Sequence, residues 1–254
     1  MNDTTDRTST GSPFPETADI ETSNDDYATR FRGATGAWML AVQADIMMQL
    51  LRPAPGWRVL DVGGGHAQLT KPLLDAGCRL VVLGSAPSCR HRLEPFLEPG
   101  RCDFQVGNVV ELPFEDNAFD GVVCFRLFTH CGRWRQLAAE LARVSRGPVV
   151  FDYPTRQSLN AIAPAFFGAK KRFEKNTRTW TLFRHAQIRD AFGKAGWKIV
   201  RRKAQFWMPM VVHRALHCAT LSAFLEGAGR CLGLTALAGS PVIARAENAS
   251  GTPS

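Results

Sequence analysis

The chain has 254 residues, of which 45% are hydrophobic and 21% charged, and 31 Lys and Arg against 23 Asp and Glu give a net charge of +8. This length can bury a large core, and the composition excludes a chain that is disordered throughout, a collagen-like repeat and a disulfide-stabilised miniprotein. No apolar run reaches the roughly 18 residues that a membrane-spanning helix needs. Residues 1–26 are polar and acidic, without the apolar stretch of a secretory signal. We therefore expect a cytoplasmic protein.

The seven cysteines are scattered and form no C-x-x-C pair. This pattern predicts reduced thiols and neither a disulfide framework nor a metal site. Basic residues cluster at 170–178 and at 201–203, and the simplest interpretation of both clusters is a solvated surface. Because no nucleic-acid-binding module is visible, the sequence predicts no nucleic-acid partner.

Residues 1–24 are rich in Ser, Thr, Asp and Pro and are predicted to be disordered, as is the tail 247–254. Between them, residues 25–246 form one predicted domain. The predicted helices, in chain order, are Tyr27–Leu51, His66–Ala76, Pro87–Leu97, Gly132–Ser145, Arg184–Ala195 and Pro209–Leu232. The predicted strands are Arg58–Val62, Arg79–Leu83, Asp103–Val106, Phe119–Phe125, Pro148–Tyr153, Trp197–Phe206 and Pro241–Ala246. Seven strands with interleaved helices predict an α/β fold with a doubly wound, mostly parallel sheet.

The most informative segment is VLDVGGGHA at residues 59–67, a strand that turns into a helix through three glycines. Such a turn leaves backbone N–H groups free and lets a ligand approach the backbone closely. A dinucleotide site needs a third glycine at position 68 and an acidic residue about 20 positions further on. The chain has Gln68 there, and its second strand ends in Leu83-Gly84-Ser85. The sequence therefore argues against a dinucleotide site.

Three ordered segments resemble the class I S-adenosylmethionine (SAM)-dependent methyltransferases, especially the small-molecule group that includes the ubiquinone and menaquinone C-methyltransferases. They are VLDVGGGHAQ at 59–68, GNVVELPFEDNAFD at 107–120, and the strand from Gly121 followed by LAAELARV at 137–144. The resemblance covers roughly residues 56–153. It implies a Rossmann-like methyltransferase fold with SAM as cofactor and a small, partly hydrophobic acceptor.

The resemblance also implies where the cofactor binds. The corresponding residues here are Asp61, Gly63, Gly65, Gly84, Ser85, Asn108, Val109, Phe125 and Arg126. Two of these depart from the family pattern. The family has an acidic residue at position 84 that grips both ribose hydroxyls, and it has Asp at position 108. The glycine at 84 keeps an alternative function open: a protein of this fold that binds or scaffolds without transferring methyl groups.

An oxygen nucleophile needs a general base near the acceptor. His130 follows the fourth strand, and Asp152 and Tyr153 end the fifth; of these we predict His130 and Tyr153 as catalytic residues. Tyr27 lies in the part that folds over the cofactor in the resembled group, and Arg178 could reach a polar acceptor, so both are predicted to bind substrate. The alternatives are a loop histidine for His130, packing for Tyr27 and a solvated basic face for Arg178.

In the resembled fold the last two strands form an antiparallel hairpin. Here a mostly apolar helical insert, at about residues 205–239, separates them. An insert of this length could cap a hydrophobic acceptor, contact a membrane surface through 205–235 or form a homodimer interface, and core packing is the simplest alternative.

Overall fold

The computed structural model describes residues 12–158 and 180–251, and its centre is a seven-stranded sheet of order β3-β2-β1-β4-β5-β7-β6. The strands are β1 Arg58–Val62, β2 Arg79–Gly84, β3 Cys102–Val106, β4 Gly121–Cys124, β5 Val149–Tyr153, β6 Trp197–Ala204 and β7 Val242–Asn248. The first five strands are parallel, and β7 runs antiparallel to both β5 and β6. The predicted doubly wound, mostly parallel sheet is confirmed.

The central strands are apolar because helices cover both of their faces. Every residue of β4 and of β5 is buried, as expected for strands inside a doubly wound sheet. The strand β6 forms one edge, and four of its eight residues are Lys or Arg, at 198 and 201–203. Charged side chains on an edge strand discourage pairing with other chains.

The helices are α1 Ala18–Thr22, α2 Asp25–Ala28, α3 Gly33–Leu51, α4 Thr70–Asp75, α5 Trp134–Val144, α6 His185–Lys194, α7 Met210–Leu216, α8 Ala219–Cys231 and α9 Leu234–Ala238. Short 3₁₀ segments lie at Thr29–Phe31, Gly64–His66, Pro87–Phe96 and Phe128–His130. No helix in the described ranges is both long and apolar enough to cross a lipid bilayer.

Four predicted helices differ from the structure. The helix predicted over Tyr27–Leu51 is interrupted at the extended Arg32, and its long part begins only at Gly33. The helix predicted from His66 begins only at Thr70, because Ala67 adopts a left-handed conformation with φ 63°. Residues 87–96 form 3₁₀ turns, and Pro95 among them cannot donate a helical hydrogen bond. The helix predicted over Pro209–Leu232 breaks at His217, which has φ 49°. The insert is therefore a cluster of three helices, α7 to α9.

The prediction of disorder over residues 1–24 is wrong for the described residues 12–24. They form an ordered segment that contains α1, and the Asp19 side chain is fully buried. Composition misses this order because polar contacts to distant residues hold the segment. At the other terminus, β7 continues to Asn248, past the predicted end of the domain.

Candidate active site

The glycine turn after β1 is packed closely on both sides. Gly63 has φ 75°, and its N–H donates to the carbonyl of Leu83 at 2.8 Å, which ties the turn to β2. A Cβ at Gly64 would lie 2.2 Å from an Asp61 carboxylate oxygen, and one at Gly65 would lie 2.2 Å from the Ser23 hydroxyl. No other residue type fits at Gly64 and Gly65 without displacing these neighbours. The turn is thus packed closely against Asp61 and the N-terminal segment.

Asp61 lies beneath this turn, with 2% of its surface exposed. Burial raises the pKa of its carboxyl to about 7, and the positive charge of Arg126 partly offsets that effect. No hydrogen bond from a described residue contributes to the pKa of this carboxyl. A buried acceptor of this kind suits an ammonium group such as that of a bound amino acid.

The end of β2 has no room for a side chain at Gly84. A Cβ there would lie 2.6 Å from the Cβ of Cys89 and 3.0 Å from the ring of Phe104. A carboxylate therefore cannot replace Gly84 in this packing. The next residue, Ser85, donates through its backbone N–H to Asp19 at 2.6 Å and through its hydroxyl to the same carboxylate at 2.5 Å.

Four of the predicted cofactor residues line one small cavity of about 10 Å³, namely Asp61, Gly63, Phe125 and Arg126. The remaining predicted positions, at 65, 84, 85, 108 and 109, do not line it. Asn108 instead accepts a hydrogen bond from the N–H of Val110 at 3.2 Å, and Val109 is fully buried. The ordinary role of the Asn108 side chain in this state is to stabilise its own turn.

A second cavity, of about 490 Å³, adjoins the first and shares Arg126 with it. Its size falls in the range of small-molecule sites, about 300 to 1,000 Å³. The apolar lining is Tyr27, Phe31, Met39, Leu40, Pro154, Trp180, Leu182, Met210, Val211 and Pro241. The polar lining is Gln43, Arg126, Thr129, His130, Asp152, Gln205 and Arg214. The cavity therefore combines apolar walls with a few polar groups.

Asp152 is the buried charge of this cavity. One carboxylate oxygen accepts the N–H of Arg126 at 2.6 Å, and the other accepts the Gln43 side-chain amide at 3.2 Å. Burial raises the pKa of this carboxyl to about 6, although these hydrogen bonds and the Arg126 charge act in the opposite direction. Gln205 lies beside Gln43 and donates to the carbonyl of Met39 at 3.1 Å.

Arg126 stands between the two cavities in a left-handed conformation, φ 59°. Its guanidinium lies 4.8 Å from the ring centroid of Phe31 and 5.8 Å from that of Tyr27, distances typical of cation–π contacts. The buried Nη1 atom has no hydrogen-bond partner within the described ranges. An unsatisfied buried donor of this kind is costly unless a ligand uses it.

Of the predicted catalytic and substrate residues, two line the larger cavity and one lies on the other face of the sheet. His130 and Tyr27 line the larger cavity, and the His130 ring packs edge-on against Trp180 at 5.3 Å between centroids. Tyr153 does not line it: its hydroxyl lies 2.9 Å from Nδ1 of His185 on α6. Successive side chains of a strand point to opposite faces, so Asp152 reaches the cavity and Tyr153 cannot. Arg178 lies outside the described residues.

Gln43, Gln205 and Asp19 are among the residues of these sites that were not predicted from the sequence. Gln43 is a buried polar residue within the apolar α3, and Gln205 follows the last residue of β6. A polar residue on an apolar helical stripe was the available signal for Gln43. Asp19 had no local signal, because its position depends on contacts with β2.

Residues 60–149 match the family model described as "Methyltransferase domain". An uncharacterized methyltransferase of Mycobacterium leprae is 31% identical over 130 residues, which are 50% of this chain and 48% of that protein. A demethylmenaquinone methyltransferase of Renibacterium salmoninarum is 30% identical over 120 residues, covering 43% of this chain and 48% of that protein. The chain thus spans about half the length of these curated relatives.

The fold has a solved counterpart that extends beyond the matched domain. The magnesium protoporphyrin IX methyltransferase of Synechocystis, solved with bound S-adenosylhomocysteine (SAH), superposes with a TM-score of 0.60 at 14% identity. The superposition covers 90% of this chain and 97% of that one. These matches support the resemblance inferred from the sequence: residues 60–149 match a methyltransferase domain, and the chain has the fold of the solved methyltransferase.

Proposed function

We propose that this protein transfers a methyl group from SAM to a small, partly hydrophobic acceptor. One observation carries the proposal: a largely apolar cavity of about 490 Å³ adjoins the glycine turn and shares Arg126 with it. A methyltransferase must hold two ligands side by side, because the methyl group moves by direct in-line displacement between them. The demethylmenaquinone and magnesium protoporphyrin methyltransferases among the similar proteins support an acceptor of this class.

The chain offers suitable groups for each part of the cofactor. Asp61 would accept hydrogen bonds from the ammonium group, while Gly63 and Gly65 would let the methionine part lie against the backbone. The two donors of Ser85 and the turn at Asn108 and Val109 would face the nucleoside. When bound, SAM supplies an electrophilic methyl group on a sulfonium. Without a carboxylate at Gly84, the ribose depends on the donors of Ser85.

Asp152 and Arg126 suggest an acceptor with a hydroxyl group. Asp152, with a pKa of about 6, is mostly ionised at neutral pH and can accept a proton from a hydroxyl held in the cavity. The unpartnered Nη1 of Arg126 can hold the resulting oxyanion close to the cofactor. His130 lines the same cavity and is the second candidate base. The remaining catalytic contribution is positioning and exclusion of water.

A second candidate function is binding or scaffolding without methyl transfer. The observation in its favour is the packing of Cys89 and Phe104 against Gly84, which leaves no carboxylate for the ribose. Such a protein need not bind SAM or SAH, whereas a methyltransferase must bind both.

The cellular context stays a set of predictions. Free cysteines, five of them buried, accord with a reducing compartment and therefore with the cytoplasm. The insert, with exposed apolar residues on α8 and α9, keeps its predicted roles as a membrane-surface contact or a homodimer interface. The partner proposed for the catalytic cleft is the small-molecule acceptor, with no nucleic acid.

The first test is calorimetric titration of the purified protein with SAH, beside the variant Asp61→Asn. We expect micromolar binding by the wild type and at least a tenfold weaker affinity in the variant, because an amide cannot pair with the ammonium as a carboxylate does. No binding at millimolar SAH, either by the wild type or by the variant Asp19→Ala, would contradict methyl transfer and favour the binding-protein function. A positive result justifies an acceptor screen with labelled SAM.

Thermal unfolding of Asp61→Asn shows whether this variant is folded. The folded-state pKa of Asp61 is raised, so ionising this carboxyl destabilises the fold as pH rises from about 4 through 7. We therefore expect Asp61→Asn to melt at a higher temperature than the wild type at pH 8, with a smaller difference at pH 4. A variant that melts lower at pH 8 would have lost binding through misfolding.

A further inference from the structure

The N-terminal segment of residues 12–23, which we call the strap, lies across the cleft beside the glycine turn. The Ser12 hydroxyl donates to the carbonyl of Ser85 at 2.6 Å, and the Glu16 carboxylate accepts the N–H groups of Gly132 and Arg133 at 3.2 and 2.9 Å. The strap is thus attached on one side to the end of β2 and on the other to the start of α5. It spans the edge of the sheet where the strands end.

Asp19 is the central contact of the strap. Its carboxylate accepts both donors of Ser85, at 2.6 and 2.5 Å, and the thiol of Cys89 at 3.3 Å. The residue is fully buried although it comes from a segment with an otherwise polar composition. A carboxylate that is buried and multiply hydrogen-bonded is anchored much more firmly than one on a surface.

The strap occupies the space above the glycine turn. The Cβ of Asp19 lies 3.6 Å from the position that a Cβ of Gly63 would take, and the Ser23 hydroxyl lies 2.2 Å from the corresponding position at Gly65. Only about 10 Å³ remains in the cavity above Asp61, room for about one water molecule. A ligand the size of SAM needs a site of about 300 Å³ or more. Cofactor and strap therefore cannot occupy this place together.

We propose that Asp19 makes the strap an autoinhibitory ligand of the cofactor site. Its carboxylate takes the two Ser85 donors that the nucleoside of the cofactor would use, so SAM binds only after the strap moves away. This inference rests on the proposed function, because it concerns the same cofactor. It assigns a carboxylate-binding role to Ser85 and an inhibitory role to residues 12–23.

The test compares SAH affinity in the full chain with Asp19→Ala and Asp26→Ala. The apparent affinity is reduced by the fraction of molecules that are closed, so removing the Asp19 contact should tighten SAH binding at least tenfold. Asp26 carries the same charge on the exposed α2 and serves as the matched control, with affinity within twofold of the wild type. Hydrogen exchange gives a second readout without ligand: amides of 18–23 and 85 should exchange faster in Asp19→Ala.

Other outcomes separate this inference from the proposed function. Weaker SAH binding by Asp19→Ala would make Asp19 a cofactor ligand and overturn autoinhibition. Unchanged SAH binding would also overturn autoinhibition. Unchanged hydrogen exchange in that variant would also overturn it, because the Asp19–Ser85 contact would then not hold the strap. If neither the wild type nor Asp19→Ala binds SAH, while exchange increases as expected, the strap contact stands and the proposed methyl transfer fails.

Discussion

At the scale of single residues, two carboxylates dominate the electrostatics of the cleft. The Asp61 side chain lies at the glycine turn, and the Asp152 side chain lines the larger cavity. Burial raises the pKa of Asp61 to about 7 and the pKa of Asp152 to about 6. A raised pKa means that the folded state binds the proton more tightly than the unfolded chain. The ionised carboxyls therefore cost stability above about pH 4, a cost that is typical of functional sites.

Asp152 allows a test of the proposed base. Replacing Asp152 with Asn keeps the shape but removes proton acceptance, so we expect kcat to fall by roughly 10² or more against an acceptor found in the screen. The wild-type rate should rise with pH around a midpoint of about 6, where the carboxyl ionises. The measurement is a pH–rate profile of both proteins.

The control for this prediction is SAH affinity, which should stay within threefold, because Asp152 faces the acceptor cavity. A variant that keeps the wild-type rate and pH profile would leave His130 as the base. Rescue by Asp152→Glu would argue that the carboxylate, and not merely the hydrogen bonds from Arg126 and Gln43, is needed.

At the scale of elements, α8 holds the loop that leads from β6 into the insert. The Glu226 carboxylate accepts the N–H groups of Trp207 and Met208, both at 3.0 Å, and lies 2.9 Å from Nε2 of the buried His213. One turn further on, a Cβ at Gly229 would lie 2.0 Å from the indole nitrogen of Trp207. The helix thus holds this loop in two ways, through the hydrogen bonds to Glu226 and through the packing of the Trp207 ring against Gly229. Met210 and Val211, which follow that loop, line the acceptor cavity.

Two glycines of α8 form a matched pair of tests. Gly229→Ala should destabilise the protein by about 1 to 3 kcal/mol, because the added methyl group displaces the Trp207 ring. Gly227→Ala meets no atom within 4 Å, and it should stabilise the protein by about 0.5 to 1 kcal/mol through its helix propensity. Urea unfolding of both variants measures the difference. Equal stabilities would mean that Trp207 does not pack against Gly229.

At the scale of the whole molecule, the insert places apolar side chains in solvent beside a basic edge. Phe224 is 71% exposed, Leu232 is 74% exposed and Leu237 is 78% exposed. The neighbouring edge strand β6 contributes Lys198, and Arg or Lys at 201–203, and the chain carries a net charge of +8. Apolar groups together with positive charge favour an anionic membrane surface.

The membrane prediction is tested with vesicles that contain anionic lipid. We expect the wild type to cosediment with them, less so at high salt, and the double variant Phe224→Ser, Leu232→Ser to remain largely in the supernatant. Exposed positions are chosen so that the buried Glu226 and His213 stay in place. If the wild type itself remains in the supernatant and sedimentation velocity gives a dimer that the double variant lacks, the surface is a homodimer interface.

The sequence alone determined the sheet and its glycine turn, because both depend on local signals. A strand covered on both faces is apolar along its length, so β4 was predictable. A turn whose backbone packs within contact distance of other atoms needs glycine, so residues 63–65 were predictable. The order of the motifs then indicated the family. Two of the helices that were predicted wrongly, the one from His66 and the one over residues 209–232, each break at a single residue in the left-handed conformation, Ala67 and His217.

The tertiary structure alone decided which polar residues meet. Asp19 reaches Ser85 across 66 residues, and Gln43 reaches Asp152 across 109, so no sequence window contains either pair. The register of β5 decided that Asp152 faces the cavity and Tyr153 faces α6, where a shift of one residue would reverse both. Such contacts depend on how distant elements pack, since hydrogen bonding and burial act between neighbours in space, whereas composition and periodicity describe only neighbours along the chain.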